Sequence, residues 1–315
     1  MDIYHGIDDV RLTGTAVAIG VFDGVHLGHQ AVLTGAARMA HGNAGLRAVA
    51  LTFDVHPAAV LAPERAPLTI CSVDQRTRLI ERCGGGVDDV VIVHFDRAFA
   101  ALSPDDFVRT ILLDRLGASH VFVGHDFRYG HNRAGDDETL KAEGAQFGFT
   151  VDVVEPVVVD GERVSSTRIR SLVQAGDIDA ASRLLGHEFA VAGTVVHGKK
   201  LGREIGFPTA NVRPADVRQL LPADGVYAGY TILPDGRRWR AAISVGTNPT
   251  TDTDGARKVE AYVMDGFDED IYDASVEIAF DRRLRGQVAF ESLPGLIDLI
   301  KRDVDEIDRT LAKVE

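Results

Sequence analysis

Ala16-Val17-Ala18-Ile19-Gly20-Val21-Phe22-Asp23-Gly24-Val25-His26-Leu27-Gly28-His29 is an apolar run followed by a glycine-spaced decapeptide, and Gln30–Ala40 after it carries apolar residues at helical spacing. A short apolar run without polar alternation suits a strand buried on both faces. Strand, glycine loop and helix in that order make the first half of a βα unit, the building block of a parallel sheet. Glycines at 20, 24 and 28 let backbone approach a polyphosphate, and the helix start adds unpaired N–H groups and a positive dipole end. His26 and His29, three apart in the first turn, project together. Two imidazole donors then face one anion, an arrangement that stabilises charge building on an α-phosphate and pyrophosphate during nucleotidyl transfer. Two histidines so spaced also suit a metal, with His56 and Asp54 in Phe53-Asp54-Val55-His56-Pro57 as the further donors on offer.

The same rhythm runs outward from this stretch. Ala48–Phe53, Val90–Phe95, His120–Val123 and Thr150–Val154 read as strands, and Asp74–Cys83, Asp105–Leu116 and Asp137–Phe147 as helices between them. Right-handed crossovers place helices on both faces of the sheet and gather the loops at the strand C-termini into a site. Two short helices follow: Ser165 and Ser166 cap Thr167–Gln174, which stops at Gly176, and Asp177 caps a helix through Leu185 that stops at Gly186. Ser165-Ser166-Thr167-Arg168-Ile169-Arg170 puts hydroxyls and a guanidinium at a helix N-terminus. As a second phosphate cradle, Ser166 and Thr167 hold outer phosphates and Arg168 neutralises a leaving pyrophosphate. A well-capped helix accounts for the same residues without a ligand.

Beyond Gly186 the texture changes to glycine-punctuated β segments at Phe189–Val196, Val226–Leu233, Trp239–Val245, Lys258–Met264 and Ala274–Ala279, with a turn at Pro234-Asp235-Gly236. That pattern is a small antiparallel barrel or sandwich. A final helix, Pro294–Ala312, carries Leu296, Ile297, Ile300, Val304, Ile307 and Leu311 as a stripe to pack on it. The expected fold is α/β, a doubly wound parallel-sheet domain over 1–186 followed by a β-barrel domain with a terminal helix over 187–315. In the second domain Gly198-Lys199-Lys200-Leu201-Gly202-Arg203-Glu204-Ile205-Gly206-Phe207-Pro208-Thr209-Ala210-Asn211 matches neither a Walker nor a protein-kinase lysine motif. Its backbone can still fold over ATP phosphates, and the Thr209 hydroxyl and Asn211 amide oxygen are hard neutral ligands for Mg²⁺. Thr and Asn after Pro are also common turn residues, and Lys199, Lys200 and Arg203 equally suit a solvated loop face.

Composition sets the outer bounds. At about 100–200 residues per domain, 315 residues make two domains. The 45% hydrophobic content and mean hydropathy near zero place both among folded chains. A formal charge of −13 argues against non-specific nucleic-acid or anionic-membrane binding, leaving room only for local cationic pockets. Cys71 and Cys83 are too few for a disulfide framework and lack C-x-x-C spacing, which excludes a cysteine-ligated zinc and fits a reducing compartment. No apolar run approaches the ~20 residues of a membrane span, and no basic start leads into an apolar stretch, so the expected location is cytoplasmic.

G-V-F-D-G-V-H-L-G-H, T-F-D-V-H-P, G-H-D-F-R-Y-G and S-S-T-R-I-R occur here in the order of the bacterial bifunctional riboflavin kinase/FAD synthetase family, which the chain resembles over nearly its whole length. The second half adds G-R-x-x-G-x-P-T-A-N, Gly246-Thr247-Asn248-Pro249-Thr250 and Val259-Glu260-Ala261-Tyr262. The first module is similar to other H-x-G-H adenylyltransferases. The resemblance implies an FMN adenylyltransferase over 1–186, in which FMN attacks the ATP α-phosphate to give FAD and pyrophosphate, and a riboflavin kinase over 187–315. It implies His26 and His29 as catalytic, with Gly20, Phe22, Asp23, Gly24, Gly124, Asp126, Phe127, Ser166, Thr167 and Arg168 binding substrate or nucleotide. In the kinase it implies Glu260 as the base for the riboflavin 5′-hydroxyl, Thr209 and Asn211 as Mg²⁺ ligands, and Gly198, Gly202, Arg203, Pro208, Asn248 and Arg285 around the substrates. A salt-bridged Glu260, paired with Lys258 or Arg257, is the structural alternative. Riboflavin, FMN, FAD and ATP are the implied partners, and the oligomeric state stays open. The chain departs from the family pattern at His125, where an acidic residue is common, at Tyr129 for Phe, at Thr251 for an aromatic, and at Gln287 for the carboxylate of R-x-E. The last implies a weaker riboflavin site.

Overall fold

The computed structural model describes residues 1–198, 202, 206–247, 257–288 and 293–311. The chain groups into two compact units, Met1–Thr69 with Val73–Ser166, and Ile70–Ser72 with Thr167–Glu315.

The first unit is built on β1 (Asp2–His5), β2 (Thr15–Ile19), β3 (Arg47–Phe53), β4 (Asp89–Val93), β5 (Ala118–Gly124) and β6 (Thr150–Val154). They form one sheet in the order β1-β4-β3-β2-β5-β6, with every pairing parallel. All five residues of β2 are buried, as a central strand covered on both faces requires. Alternation along it divides two cores. Ala16 and Ala18, with Ala48 and Ala50, lie under α1 (Leu27–Gly42), which buries Val32, Leu33, Ala36, Ala37 and Ala40. Small residues on this face admit the helix closely, and at Gly35 a Cβ would sit 2.8 Å from the Phe122 ring. Ile80 of α3 (Val73–Cys83) joins this core, whereas α2 (Pro57–Leu61), which precedes it in the chain, buries none of its residues.

On the opposite face Val17, Ile19, Val49, Leu51, Val121 and Val123 meet Phe107, Val108, Ile111 and Leu112. After a short α4 (Arg97–Ala100), the continuous helix expected over Asp105–Leu116 is here α5 (Pro104–Asp106) running into a π-helix over Phe107–Leu113. The Asp114 and Leu116 N–H groups donate five residues back, to Arg109 (2.9 Å) and Ile111 (3.1 Å). The wider turn spaces these apolar residues differently from an α-helix while keeping them on the core. The face is completed by α6 (Asp137–Phe147), and a small hairpin of β7 (Val158–Val159) and β8 (Glu162–Arg163) follows.

The second unit resumes within α7 (Ser166–Ala175), from Thr167, and α8 (Ile178–Leu185) follows. Asp177 caps α8 by accepting the Ala180 N–H at 3.1 Å, and Gly186 ends it at φ +74°, so both signals read from the sequence act as such. Strands β9 (Phe189–Val196), β10 (Thr209–Pro214), β11 (Gly225–Ile232), β12 (Arg238–Gly246), β13 (Lys258–Val263) and β14 (Ser275–Arg285) close a barrel in the order β10-β13-β12-β11-β14-β9. It is therefore a barrel and not a sandwich. The row Ala210, Ala261, Ile243, Tyr227 is paired across four strands and buried. The terminal helix α9 (Leu293–Thr310) covers the outside, with Val304 and Ile307, and Leu311 just beyond, packed over Ala228, Ala242 and Tyr262. Arg240, 2% exposed, ties β12 to it by pairing with Asp308 at 2.6 Å and with Asp265. No helix among the described residues is long and apolar enough to cross a membrane.

Candidate active sites

Strands β3 and β4 extend the sheet to one side of β2, whereas β5 and β6 extend it to the other. The carboxyl ends of β2 and β5 are therefore the topological switch point, where open α/β sheets bind ligands. Gly20–Leu27 leaves β2 there, and Gly124–Phe127 leaves β5.

The loop after β2 is strained. Phe22 and Val25 sit at φ +50° and +39°, costs of about 1–3 kcal/mol each for residues with a Cβ. Gly24, at φ +80°, takes a left-handed conformation at little cost. Gly20 and Gly28 serve another purpose: a Cβ at Gly20 would lie 2.7 Å from the Phe22 ring, and one at Gly28 3.2 Å from the His26 ring. Those two glycines make room for the rings. His26 is the N-cap of α1, its Nδ1 accepting the His29 N–H at 3.2 Å. An accepting Nδ1 requires a neutral ring with its proton on Nε2, which keeps that nitrogen a donor. The two imidazoles stack with centroids 3.5 Å apart, and Phe22 meets His29 edge-on at 5.4 Å. The pair read from the sequence converges as expected. Ser166 joins it, its hydroxyl donating to the Asp23 carbonyl at 3.4 Å.

At the end of β5 the Phe127 N–H donates to the Gly124 carbonyl at 3.0 Å, and the Phe127 ring stacks on Tyr129 at 5.5 Å. The Tyr129 hydroxyl, which the family's usual Phe lacks, donates to Glu143 of α6. Burial pushes the Glu143 carboxyl above its ordinary value. His125 contacts Arg163 of β8. The metal alternative finds other work for its donors. His56 accepts the Ala58 N–H at 3.1 Å as the cap of α2, and Asp54 pairs with His94 at 2.6 Å. Among the described residues no cluster of three metal-ligating side chains occurs.

In the barrel, Gly198, Gly202, Pro208, Thr209 and Asn211 line one cavity of about 220 Å³. A Cβ at Gly198 would fall 2.3 Å from the Asn211 amide, so any larger residue there would displace the Asn211 side chain. Asn211 pairs across the sheet with Glu260, and Glu260 with Ser244, so these three share the outward face of the barrel wall. Sequence reasoning offered Thr209 and Asn211 as Mg²⁺ ligands or turn residues and read no strand there; they belong to β10. It missed the other wall, Phe267–Tyr272, where Tyr272 lies 3.9 Å from the His197 ring and Glu269 pairs with Arg237. The signal was a turn, Asp265-Gly266, with Asp265 at φ +61° and Gly266 at +75°. Arg285 is held by Asp303 of α9 through bonds of 2.9 and 2.7 Å. Gln287 donates to the Ser244 hydroxyl and the Val245 carbonyl, both at 3.1 Å. An ionised carboxylate has no proton for that carbonyl, so the amide suits this position. Lys199, Lys200, Arg203, Asn248, Thr250 and Thr251 lie outside the described residues.

A donor-lined loop at a sheet's switch point and a barrel cavity with hard oxygen donors beside a carboxylate are two separate arrangements for handling phosphoryl groups, which makes the class a two-module nucleotide-dependent transferase. Family models agree on both modules: FAD synthetase matches residues 9–168 and Riboflavin kinase residues 185–311. The bifunctional riboflavin kinase/FMN adenylyltransferase of Pseudomonas fluorescens is 38% identical, covering 96% of each chain. Its counterpart in Listeria monocytogenes is 36% identical over 99% of this chain and 98% of that one. The chain belongs to the bifunctional riboflavin kinase/FMN adenylyltransferase family. A crystal structure from Streptococcus pneumoniae, described as a macrolide-efflux protein, has the same fold at TM-score 0.85 and 32% identity, covering 99% of this chain and 100% of that one. That description concerns the pneumococcal protein, and the assignment here rests on the family models and the relatives.

Proposed function

We propose that the two reactions divide at residue 186, with adenylyl transfer carried by 1–186 and riboflavin phosphorylation by 187–315, both drawing on ATP in the cytoplasm. In the first, an FMN phosphate oxygen bonds to the ATP α-phosphorus as the bond to the bridging oxygen of pyrophosphate breaks. His26 and His29 donate to the α-phosphoryl oxygens and the departing bridge, whose charge rises in the transition state. Gly20, Phe22, Asp23 and Gly24 shape the loop around the nucleotide. Ser166, Thr167 and Arg168 receive the outer phosphates, and Gly124, Asp126 and Phe127 hold the flavin or adenine. The observation that carries this reading is the His26 cap, which fixes a donor tautomer beside His29.

In the second, the riboflavin 5′-hydroxyl attacks the γ-phosphorus while Glu260 takes its proton, and ADP leaves. The pairing of Asn211 with Glu260 carries this reading, because it sets a hard oxygen donor beside the base. Thr209 and Asn211 fit Mg²⁺: both offer neutral oxygen, and both line a cavity bordered by Asp268 and Asp270. Bound there, the ion supplies charge neutralisation for the phosphate oxygens. The family resemblance assigns ATP binding to Gly198, Gly202, Arg203 and Pro208, and flavin binding to Asn248 and Arg285.

Chromatography of flavins after incubation with riboflavin, ATP and Mg²⁺ tests the whole assignment. FMN followed by FAD is the expected result. FMN alone or no turnover at all leaves a single-activity enzyme or a flavin-binding regulator.

A further inference from the structure

Arg76, on α3, is 2% exposed. Its guanidinium donates to the Phe53 carbonyl at 2.6 Å and to the Thr52 hydroxyl at 3.1 Å, and makes no ion pair among the described residues. Its Nε is buried without a hydrogen-bond partner. Burying a charge that no carboxylate balances is strongly unfavourable, and proteins tolerate it where an anion arrives or where geometry depends on it. Thr52, 0% exposed, passes the contact on: its hydroxyl, accepting from Arg76, donates to the Val21 carbonyl at 3.0 Å. Val21 immediately precedes Phe22, where the strained turn of the phosphate loop begins. The Gly20 N–H is held by the same strand, donating to the Leu51 carbonyl at 3.1 Å. A buried cation on a helix thus reaches, through one hydroxyl, the entry of the loop that presents His26 and His29.

We propose that Arg76 is a positioning residue for adenylyl transfer: through Thr52 it fixes the entry of the Gly20–Leu27 loop, and it supplies, at the carboxyl end of β3, a positive charge that no ion pair balances and that favours ATP polyphosphate. The proposal rests on the reading of that loop as the polyphosphate site. Three variants of the full chain separate its parts. Arg76→Met removes donors and charge, Arg76→Gln keeps amide donors without charge, and Arg76→Lys keeps charge and donors.

With FMN and ATP as substrates, Arg76→Met is expected to lose about 10²-fold in kcat/KM for adenylyl transfer, the scale of a small misplacement of reacting groups. Part of the loss appears as a raised KM for ATP, which a purely structural role would leave unmoved in the folded fraction. Arg76→Lys is expected to recover to within about 10-fold of the parent. Riboflavin phosphorylation on the same preparation serves as an internal control and stays unchanged. An Arg76→Met protein with both constants within about threefold of the parent overturns the proposal. If that variant does not fold, Arg76→Gln decides: an unchanged KM for ATP overturns the charge, and a raised one supports it. His29→Ala is run alongside. Full FAD synthesis by that variant sinks the site reading itself, whereas an inactive His29→Ala beside a normal Arg76→Met rejects the role of Arg76 alone.

Discussion

At the scale of residues, the two sites make opposite demands. In the proposed adenylyl transfer the histidine pair acts through donors that are present before the reaction begins, and the cap on His26 leaves one by holding Nδ1 as acceptor. His29→Ala removes its partner, so FAD formation from FMN should fall by about 10²–10³, the cost of one transition-state donor. FMN formation should stay at the parent rate, and near-parent FAD synthesis would contradict the assignment. In the proposed kinase step Glu260 accepts a proton, and Gln at that position keeps size and hydrogen bonding without doing so. Kinase turnover in Glu260→Gln should drop by about 10²–10⁴ while riboflavin affinity changes little. If the carboxylate is only structural, the melting temperature falls and turnover of the folded fraction stays normal. A third residue-scale expectation concerns the Asp54–His94 pair. The bond to Asp54, followed by its charge, raises the exposed His94 imidazole above its ordinary value. Burial raises Asp54, but bonds from His94, Phe95 and Val55 outweigh it and leave the carboxyl below its ordinary value. The His94 contribution to stability is full below the ordinary histidine value and is lost as pH rises through the raised one. That of Asp54 is full above the ordinary aspartate value and lost as pH falls through the lowered one. The pair is thus at strength between roughly pH 4 and 6.5. An NMR titration should place the His94 midpoint above the ordinary value in the parent and return it there in Asp54→Asn; the same midpoint in both would refute the pairing.

At the scale of elements, what was legible in the sequence followed burial on both faces. Strands β2, β3, β4 and β5 read as strands because apolar residues fill them, α6 as a helix because of its apolar spacing and the glycine after it, and α8 because its capping Asp177 accepts an N–H group as such a residue does. β1 left little signal: it is a four-residue edge strand, mostly exposed, that pairs with β4. β10 was hidden by its chemistry. Thr209, Asn211 and Pro214 look like turn residues, while the alternation that makes the strand rests on Ala210 and Val212. The π-helix left no signal of its own because its apolar residues also satisfy a spacing of 3.6 residues per turn. The site residues themselves were readable where motif and element coincide, as in Gly20–His29; Phe267–Tyr272 carries its residues to the cavity only through barrel closure. One element bears on where the kinase module begins. α8 buries Ile178, Ala181, Leu184 and Leu185 and packs against β9 and β14. Each apolar side chain so buried is worth about 1.5–3 kcal/mol for Val- to Phe-sized groups. Residues 187–315 should fold and phosphorylate riboflavin, yet melt roughly 10 °C or more below residues 167–315. Equal melting temperatures would mean that α8 adds nothing to the barrel.

At the scale of the molecule, each unit has its own buried core, and each family model covers one reaction. Riboflavin phosphorylation, the earlier step, makes FMN and adenylyl transfer, the later one, consumes it, so the chemistry requires FMN to leave one site before it enters the other. Nothing in either transfer step needs the two modules of one chain to act together. A mixture of His29→Ala and Glu260→Gln chains, each supplied with the module the other lacks, should therefore convert riboflavin to FAD. Neither variant alone should do so at more than residual rate. The signature is kinetic: free FMN rises first in the mixture and FAD follows after a lag that shortens as the Glu260→Gln chain is added in excess. The lag shortens because the second step then draws on released FMN at a rate set by the concentration of intact adenylyltransferase modules. Time courses by flavin chromatography at several mixing ratios decide the matter. A mixture that accumulates FMN without making FAD, although Glu260→Gln adenylylates added FMN alone, would show that product of the first step reaches the second only within one chain.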